Sequence, residues 1–166
     1  MGSILTKKAH NSQMDVPFSV LLQVARILEE RAIPYVLVGS LASSMHGMYR
    51  STAAIDILAD VKPEQVRPLL EALQESFYVD EHAIREPLTQ RSSFNVIHLD
   101  SVFMVDIFLP KTDEFAWAQL ERRQLRKVSP DAKDAVCVAT AEDTVWLSCA
   151  GIVWGMRFRI PSGMTW

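Results

Sequence analysis

The sequence predicts an α/β domain of the α+β kind, a mixed β-sheet of about four to six strands flanked by helices. Three observations carry that reading. Short apolar runs, YVLV at 35–38 and AAIDILAD at 53–60, are bounded by turn residues and are too short for helices. The stretch SSFNVIHLDSVFMVDIFLP at 92–110 has the alternation of two strands joined by a tight turn at Leu99-Asp100-Ser101. Between these runs lie segments whose apolar residues recur at helical spacing.

In order along the chain, residues 1–14 show no periodicity and are expected to form a flexible N-terminal tail. Asp15 as N-cap and Pro17 in the first turn predict a helix with Phe18, Leu21, Leu22, Ala25 and Leu28 on one face, ending near Arg31. After Pro34 comes the buried strand YVLV, then a short helix from Leu41 to His46 that stops at Gly47. AAIDILAD is the next strand. Pro63 to Phe77 is helical, with Pro68 marking either a kink or the true first turn, and FYVDE at 77–81 is a candidate strand. In the hairpin, Phe103, Val105 and Ile107 oppose Met104, Asp106 and Phe108. A helix from about Asp113 to Arg122, on which Phe115 and Trp117 should pack against the sheet, precedes a strand AVCVA at 135–139. A last helix is opened by Thr140, with Asp143 three residues on.

At 166 residues, 49% hydrophobic and 22% charged, the chain is long and apolar enough for one domain with its own core. A net charge of -3 argues against a surface given over to nucleic acid, although a local basic patch is compatible with it. Cys137 and Cys149 match no metal-ligand spacing and suggest a reducing compartment, so the expected location is cytoplasmic. No apolar run reaches the roughly 20 residues of a membrane span, so no membrane partner is expected.

The chemistry concentrates in YVLVGSLASSMHGMYRSTAAIDILAD, residues 35–60. A strand that ends in Gly39-Ser40 at the start of a helix offers backbone N–H groups and small side chains to an approaching anion. Asp56 and Asp106 each lie within an otherwise apolar strand, where a carboxylate is costly unless paired or bound to a cation. Two such acids, if they converge, suit a divalent cation, most plausibly magnesium bridging nucleotide phosphates.

With Gly39 and Ser40 in VGSLASSMHG, Arg50 and Thr52 in the R-x-T of RSTAAIDIL, Asp56, and Asp106 in FMVDIF, the chain from 15 to 146 resembles the nucleotidyltransferase superfamily, in particular its bacterial abortive-infection-type enzymes, which include toxins of toxin-antitoxin pairs. The resemblance implies a nucleotidyltransferase fold and transfer of a nucleoside monophosphate from an NTP to a hydroxyl on RNA, protein or a small molecule. It assigns catalysis and Mg2+ binding to Asp56 and Asp106, and nucleotide binding to Gly39, Ser40, Arg50 and Thr52. An antitoxin is the further partner it implies.

One position departs from the family. Ala54 stands where the first acid of the family's Asp-x-Asp pair would be. On a strand, residues 54 and 56 share a face about 7 Å apart, so two acids there could clamp a pair of cations roughly 3.5 to 4 Å apart. Alanine cannot ligate, and Asp60, about 13 Å along the strand from Asp56, is too far to replace it. The expectation is therefore a nucleotidyltransferase scaffold with an impaired cation site, or a non-catalytic nucleotide-binding or partner-binding module on the same fold.

His46 and His98 are expected to be ordinary helix-end and strand-edge histidines, since they show no ligand spacing. ERRQLRK at 121–127 is expected to be solvated surface, with a small RNA-contacting patch as its functional alternative. Residues 147–166 are read as an atypical tail, because the family's helix gives way to glycine, proline and scattered aromatics. A back-translation shifted by one base before Trp146 yields a family-like helical sequence, which is the basis for reading this tail as out of frame.

Overall fold

Alternation with a period of two sets the architecture. In a computed structural model that describes residues 3–48, 53–110, 114–128 and 133–149, every central strand sends one set of side chains to each face of a single sheet. The strands are β1 (Tyr35–Val38), β2 (Ala54–Ala59), β3 (Phe77–Tyr78), β4 (Ser93–His98), β5 (Met104–Phe108), β6 (Gln124–Lys127) and β7 (Ala135–Val138). They form a seven-stranded sheet in the order β3-β4-β5-β2-β1-β7-β6. β1 runs parallel to β7 and β2 parallel to β5, while the β1–β2, β3–β4, β4–β5 and β6–β7 pairs are antiparallel, so the sheet is mixed as expected. β3 has only two residues and is the start of the candidate strand FYVDE. The seventh strand, β6, takes the count above the expected range; all four of its residues are exposed, so no burial pattern marks it in the sequence.

One face carries the main core. Tyr35 and Leu37 of β1, Ile55, Ile57 and Ala59 of β2, Phe94 and Val96 of β4, and Val105 and Ile107 of β5 pack there with Leu21, Val24 and Leu28 of α1 (Ser3–Glu30). Val66, Leu69, Leu70 and Leu73 of α3 (Val66–Leu73) join them, as does Ile84 of α4 (Glu81–Gln90). The opposite face has a smaller core, in which Val36, Val38, Leu58 and Phe108 meet Ala116 and Leu120 of α5 (Glu114–Arg122), with Phe115 and Trp117 packed against them. The alternation in the β4–β5 hairpin and the placing of Phe115 and Trp117 on the sheet are as the sequence predicts.

Several boundaries differ. α1 begins at Ser3 rather than at Asp15, so Pro17 lies inside the helix and residues 3–14 continue it. The Leu, Lys, Ala, Gln and Met of that segment are good helix formers, and propensity needs no amphipathic periodicity. Pro68 falls in the first turn of α3, behind a 3-10 turn at Pro63–Gln65. α4 was not anticipated; its start is marked by Asp80, whose side chain accepts from the His82 N–H at 3.0 Å. α6 (Ala141–Cys149) opens as expected, the Thr140 hydroxyl accepting from the Asp143 N–H at 3.2 Å, and runs past Trp146 to Cys149. Residues 150–166 of the proposed out-of-frame tail lie outside the described residues.

His98 is a buried turn-holder, its Nδ1 2.8 Å from Ser101 Oγ and its ring edge-on to Phe77. The α2 (Gly39–Met45) C-terminus is tied to the end of β7 by His46 Nε2, 2.8 Å from the Ala139 carbonyl. Both histidines therefore have structural roles. Gln119 of α5 is fully buried, and neither of its side-chain polar atoms has a hydrogen-bond partner among the described residues. An unpaired buried amide costs on the order of 1 to 3 kcal/mol, and methionine has nearly its shape. Gln119→Met should therefore raise the stability measured by urea denaturation by about 1 kcal/mol. A loss of stability of that size would show that the amide has a partner.

Candidate functional site

The register of β2 between its neighbours builds the site. On the face shared with α5, side chains fall into three parallel rows. Val36, Leu58, Phe108 and Ser93 form one, and its apolar members lie in the core under α5. The next row is Val38, Asp56, Asp106 and Asn95, each residue paired with the next across β1, β2, β5 and β4. The outermost is Ala54, Met104, Ile97 and Tyr78. The two acids predicted from sequence thus sit directly side by side on parallel neighbouring strands, about 4.8 Å apart along the hydrogen-bonding direction.

Gly39 completes the inner end. It follows Val38, the partner of Asp56, and has φ +71°, a conformation side chains rarely adopt. A Cβ built on it would overlap Asp56 Oδ2 and lie 2.9 Å from Asp56 Cγ. The glycine therefore does two things: it turns the chain from β1 into α2, and it leaves room for the carboxylate. No side chain caps the first turn of α2, and the Ser43 and Ser44 hydroxyls donate back to the Gly39 and Ser40 carbonyls. Gly39 and Ser40 are both half-buried. Arg50 and Thr52 lie outside the described residues.

Burial, and secondarily the Asp106 carboxylate beside it, push Asp56 up to about 6, and burial raises Asp106 as well. This is the behaviour of two acids held together with no ion-pair partner among the described residues. Asp60 takes no part. It is buried at the far end of β2, where it pairs with Lys62 Nζ at 2.7 Å.

The donor set fits one hard divalent cation: two neighbouring carboxylates, with oxygens from water or phosphate to complete the shell. It does not reach a two-cation site, because among the described residues no cluster of three His, Cys, Asp or Glu side chains is placed to hold a metal, and position 54 contributes a methyl group. Asn95, opposite Asp106, is the site residue the sequence reading missed. Counting back from a turn at Leu99-Asp100-Ser101 sets Phe94 opposite Asp106 instead; the connection runs on through Val102, with the His98 N–H donating to the Phe103 carbonyl at 2.8 Å, and that extra residue brings Asn95 opposite Asp106.

The fold has a counterpart among solved structures. TM1012 of Thermotoga maritima, a provisionally assigned nucleotidyltransferase, superposes with a TM-score of 0.54 over 80% of this chain and 83% of its own, at 15% identity. The fold is that of a nucleotidyltransferase. A looser likeness, with a TM-score of 0.45 and 13% identity over 78% of this chain and 81% of the other, is to the lincosamide antibiotic adenylyltransferase LnuA in its lincomycin-bound form. No family model matches the chain, and no curated relative does.

Two predictions follow from the nucleotidyltransferase-fold site. Gly39→Ala meets both a positive φ and the Asp56 carboxylate, so it should destabilise the protein by about 2 to 4 kcal/mol. In a double-mutant cycle, Asp56→Ala should recover part of that loss; strict additivity of the two changes would show that the contact is not the cause. The second concerns pH. Because the folded-state pKa of Asp56 lies above its ordinary 3.8, its contribution to stability is complete below pH 4 and is lost as pH rises through about 6. In metal-free buffer Asp56→Asn should therefore be more stable than the parent at pH 7.5, by about 1 to 2 kcal/mol, with the difference vanishing near pH 4. Melts showing an equal difference at both pH values would contradict this.

Proposed function

We propose that the protein is a nucleotidyltransferase-type module that binds an NTP, and that its transfer of a nucleoside monophosphate to an acceptor hydroxyl is impaired in this chain by Ala54. The observation that carries the reading is the juxtaposition of Asp56 and Asp106, in register on adjacent strands and against the cleared backbone of Gly39. On this reading the backbone N–H groups at Gly39 and Ser40 receive phosphate oxygens, and Arg50 and Thr52 belong to the same nucleotide-binding set. Asp56 and Asp106 would hold Mg2+, which supplies charge neutralisation at the phosphates and orients them. Asp106, on the side away from Gly39, is the carboxylate nearer the acceptor.

Ala54 supports a second reading, a non-catalytic nucleotide-binding or partner-binding module. Loss of a carboxylate ligand at a phosphoryl-transfer centre costs on the order of 3 kcal/mol or more of barrier, hence at least about a hundredfold in rate. The narrower likeness to abortive-infection enzymes, with an antitoxin as partner, rests on the order of the sequence motifs and leaves RNA and protein as candidate acceptors beside small molecules.

Reversion tests the proposal. Ala54→Asp should raise Mg2+-dependent transfer of label from an NTP to an acceptor in total RNA, protein or small-molecule extract by at least about a hundredfold. The unaltered chain should still bind Mg2+–NTP weakly by calorimetry, and Asp106→Asn should weaken that binding further. If neither chain binds nucleotide at millimolar concentration with magnesium present, the reading fails. If both bind and neither transfers label, the non-catalytic module is correct.

A further inference from the structure

The outermost row on the site's face remains without an assignment. Ala54, Met104, Ile97 and Tyr78 are neighbours across β2, β5, β4 and β3, spanning about 14 Å next to the carboxylates. Unlike the row under α5, this one is open to solvent: Tyr78 is 65% and Met104 37% exposed. Asn95 is exposed beside it, its Nδ2 4.0 Å from Met104 Sδ, a weak acceptor that a better one readily displaces.

We propose that this row, with Asn95, is the acceptor platform of the site, and that the acceptor is a small uncharged or cationic molecule with a flat apolar surface and a hydroxyl, not a nucleic acid. The proposal rests on the nucleotidyltransferase reading. Two arguments fix the occupant. The first is direction. In-line displacement forms a bond from the acceptor oxygen to the α-phosphorus while the bond from that phosphorus to the bridging oxygen breaks. Pyrophosphate departs with the electron pair, and the hydroxyl proton passes to solvent. With the outgoing phosphates at Gly39 and Ser40, beyond β2, the attacking oxygen must come from the opposite side of the carboxylate pair, and that side is β4 and β3.

The second argument is charge. Strands β2 to β5 contain no lysine or arginine, and the formal charges among their residues are Asp56 and Asp106. A polynucleotide is held chiefly through its phosphates by cationic side chains, and these strands offer it none. A neutral or positively charged molecule meets no such repulsion. Tyr78, Ile97 and Met104 offer it an aromatic ring, a branched aliphatic and a polarisable thioether at one level. Asn95 can donate to and accept from hydroxyls next to Asp106, as a positioning residue.

The test titrates the full-length chain with a fluorescent neutral aryl glycoside, 4-methylumbelliferyl glucoside, and separately with a short fluorescein-labelled single-stranded RNA at physiological salt. Methyl-labelled Met and Ile report the location by NMR. The glycoside is expected to saturate in the millimolar range, to move the Met104 and Ile97 methyl resonances, and to bind about fivefold more weakly to Tyr78→Ala. The RNA is expected not to bind. Tyr78 is exposed, so its truncation should leave the fold intact, and the methyl shifts are read on the unaltered chain in any case. Tighter binding of RNA than of glycoside, absence of glycoside binding, or shifts confined to other methyl groups would each overturn the proposal. Mg2+–NTP titrated into the same samples separates the two claims. Glycoside on the row without nucleotide binding overturns the acceptor role together with the transferase reading, and nucleotide without glycoside overturns the platform alone.

Discussion

The pairing register of β2 is the constraint on which the site depends. β2 is hydrogen-bonded on both sides, antiparallel to β1 and parallel to β5, and one residue of slip on either side would send Asp56 into the core beside Leu37 and Val105. That alternative buries an unpaired carboxylate and exposes Ile55 and Ile57, so the apolar alternation that holds the fold together also fixes the acid pair. Stability and site geometry are thus decided by the same side chains. The site needs no loop to bring its two acids together, and its position on central strands makes it rigid.

This explains why so much of the centre was legible in the sequence and so little of the periphery. β1, β2, the β4–β5 hairpin and β7 are strands with buried residues at every second place or throughout, and their apolar runs identify them. Asp56 and Asp106 stood out because each interrupts such a run. β3 was read as the start of the candidate strand FYVDE, whereas β6 and α4 were missed, since an edge strand with four exposed residues has no pattern to show. α1 was misplaced at its start for a different reason: Asp15 and Pro17 form a persuasive first turn, but the helix continues on the other side of the proline. Asn95 was overlooked because an asparagine in a strand is not costly, whereas its meaning depends on what lies across the hairpin. Pairwise register is a tertiary fact: the expected three-residue turn sets Phe94 opposite Asp106, and only the added Val102 brings Asn95 there.

Gly39 illustrates how one residue joins local and long-range demands. Its left-handed backbone could be satisfied by any glycine at a strand-to-helix turn, and by itself would imply nothing about chemistry. The close approach of the Asp56 carboxylate is what makes the position specific. A side chain there would have to displace the acid, so the turn that would admit a phosphate is also the wall that sets where the carboxylate stands. On the proposed reading, that one contact couples the phosphate and cation sites.

Ala54 is then more than a missing ligand. Asp56 already has its pKa raised to about 6 by burial and by Asp106, so the pair is under electrostatic load before any third charge is added. An acid at 54 would sit on the same face about 7 Å away and add to that load. A methyl group removes that repulsion and converts the inner end of the outermost row from charged to apolar, making it continuous with Met104, Ile97 and Tyr78. Alanine at this position thus extends an apolar surface up to the edge of the carboxylate pair. Less repulsion at the acid pair and a wider apolar floor both follow from a single side chain, because successive rows on this face lie only about 7 Å apart along the strand.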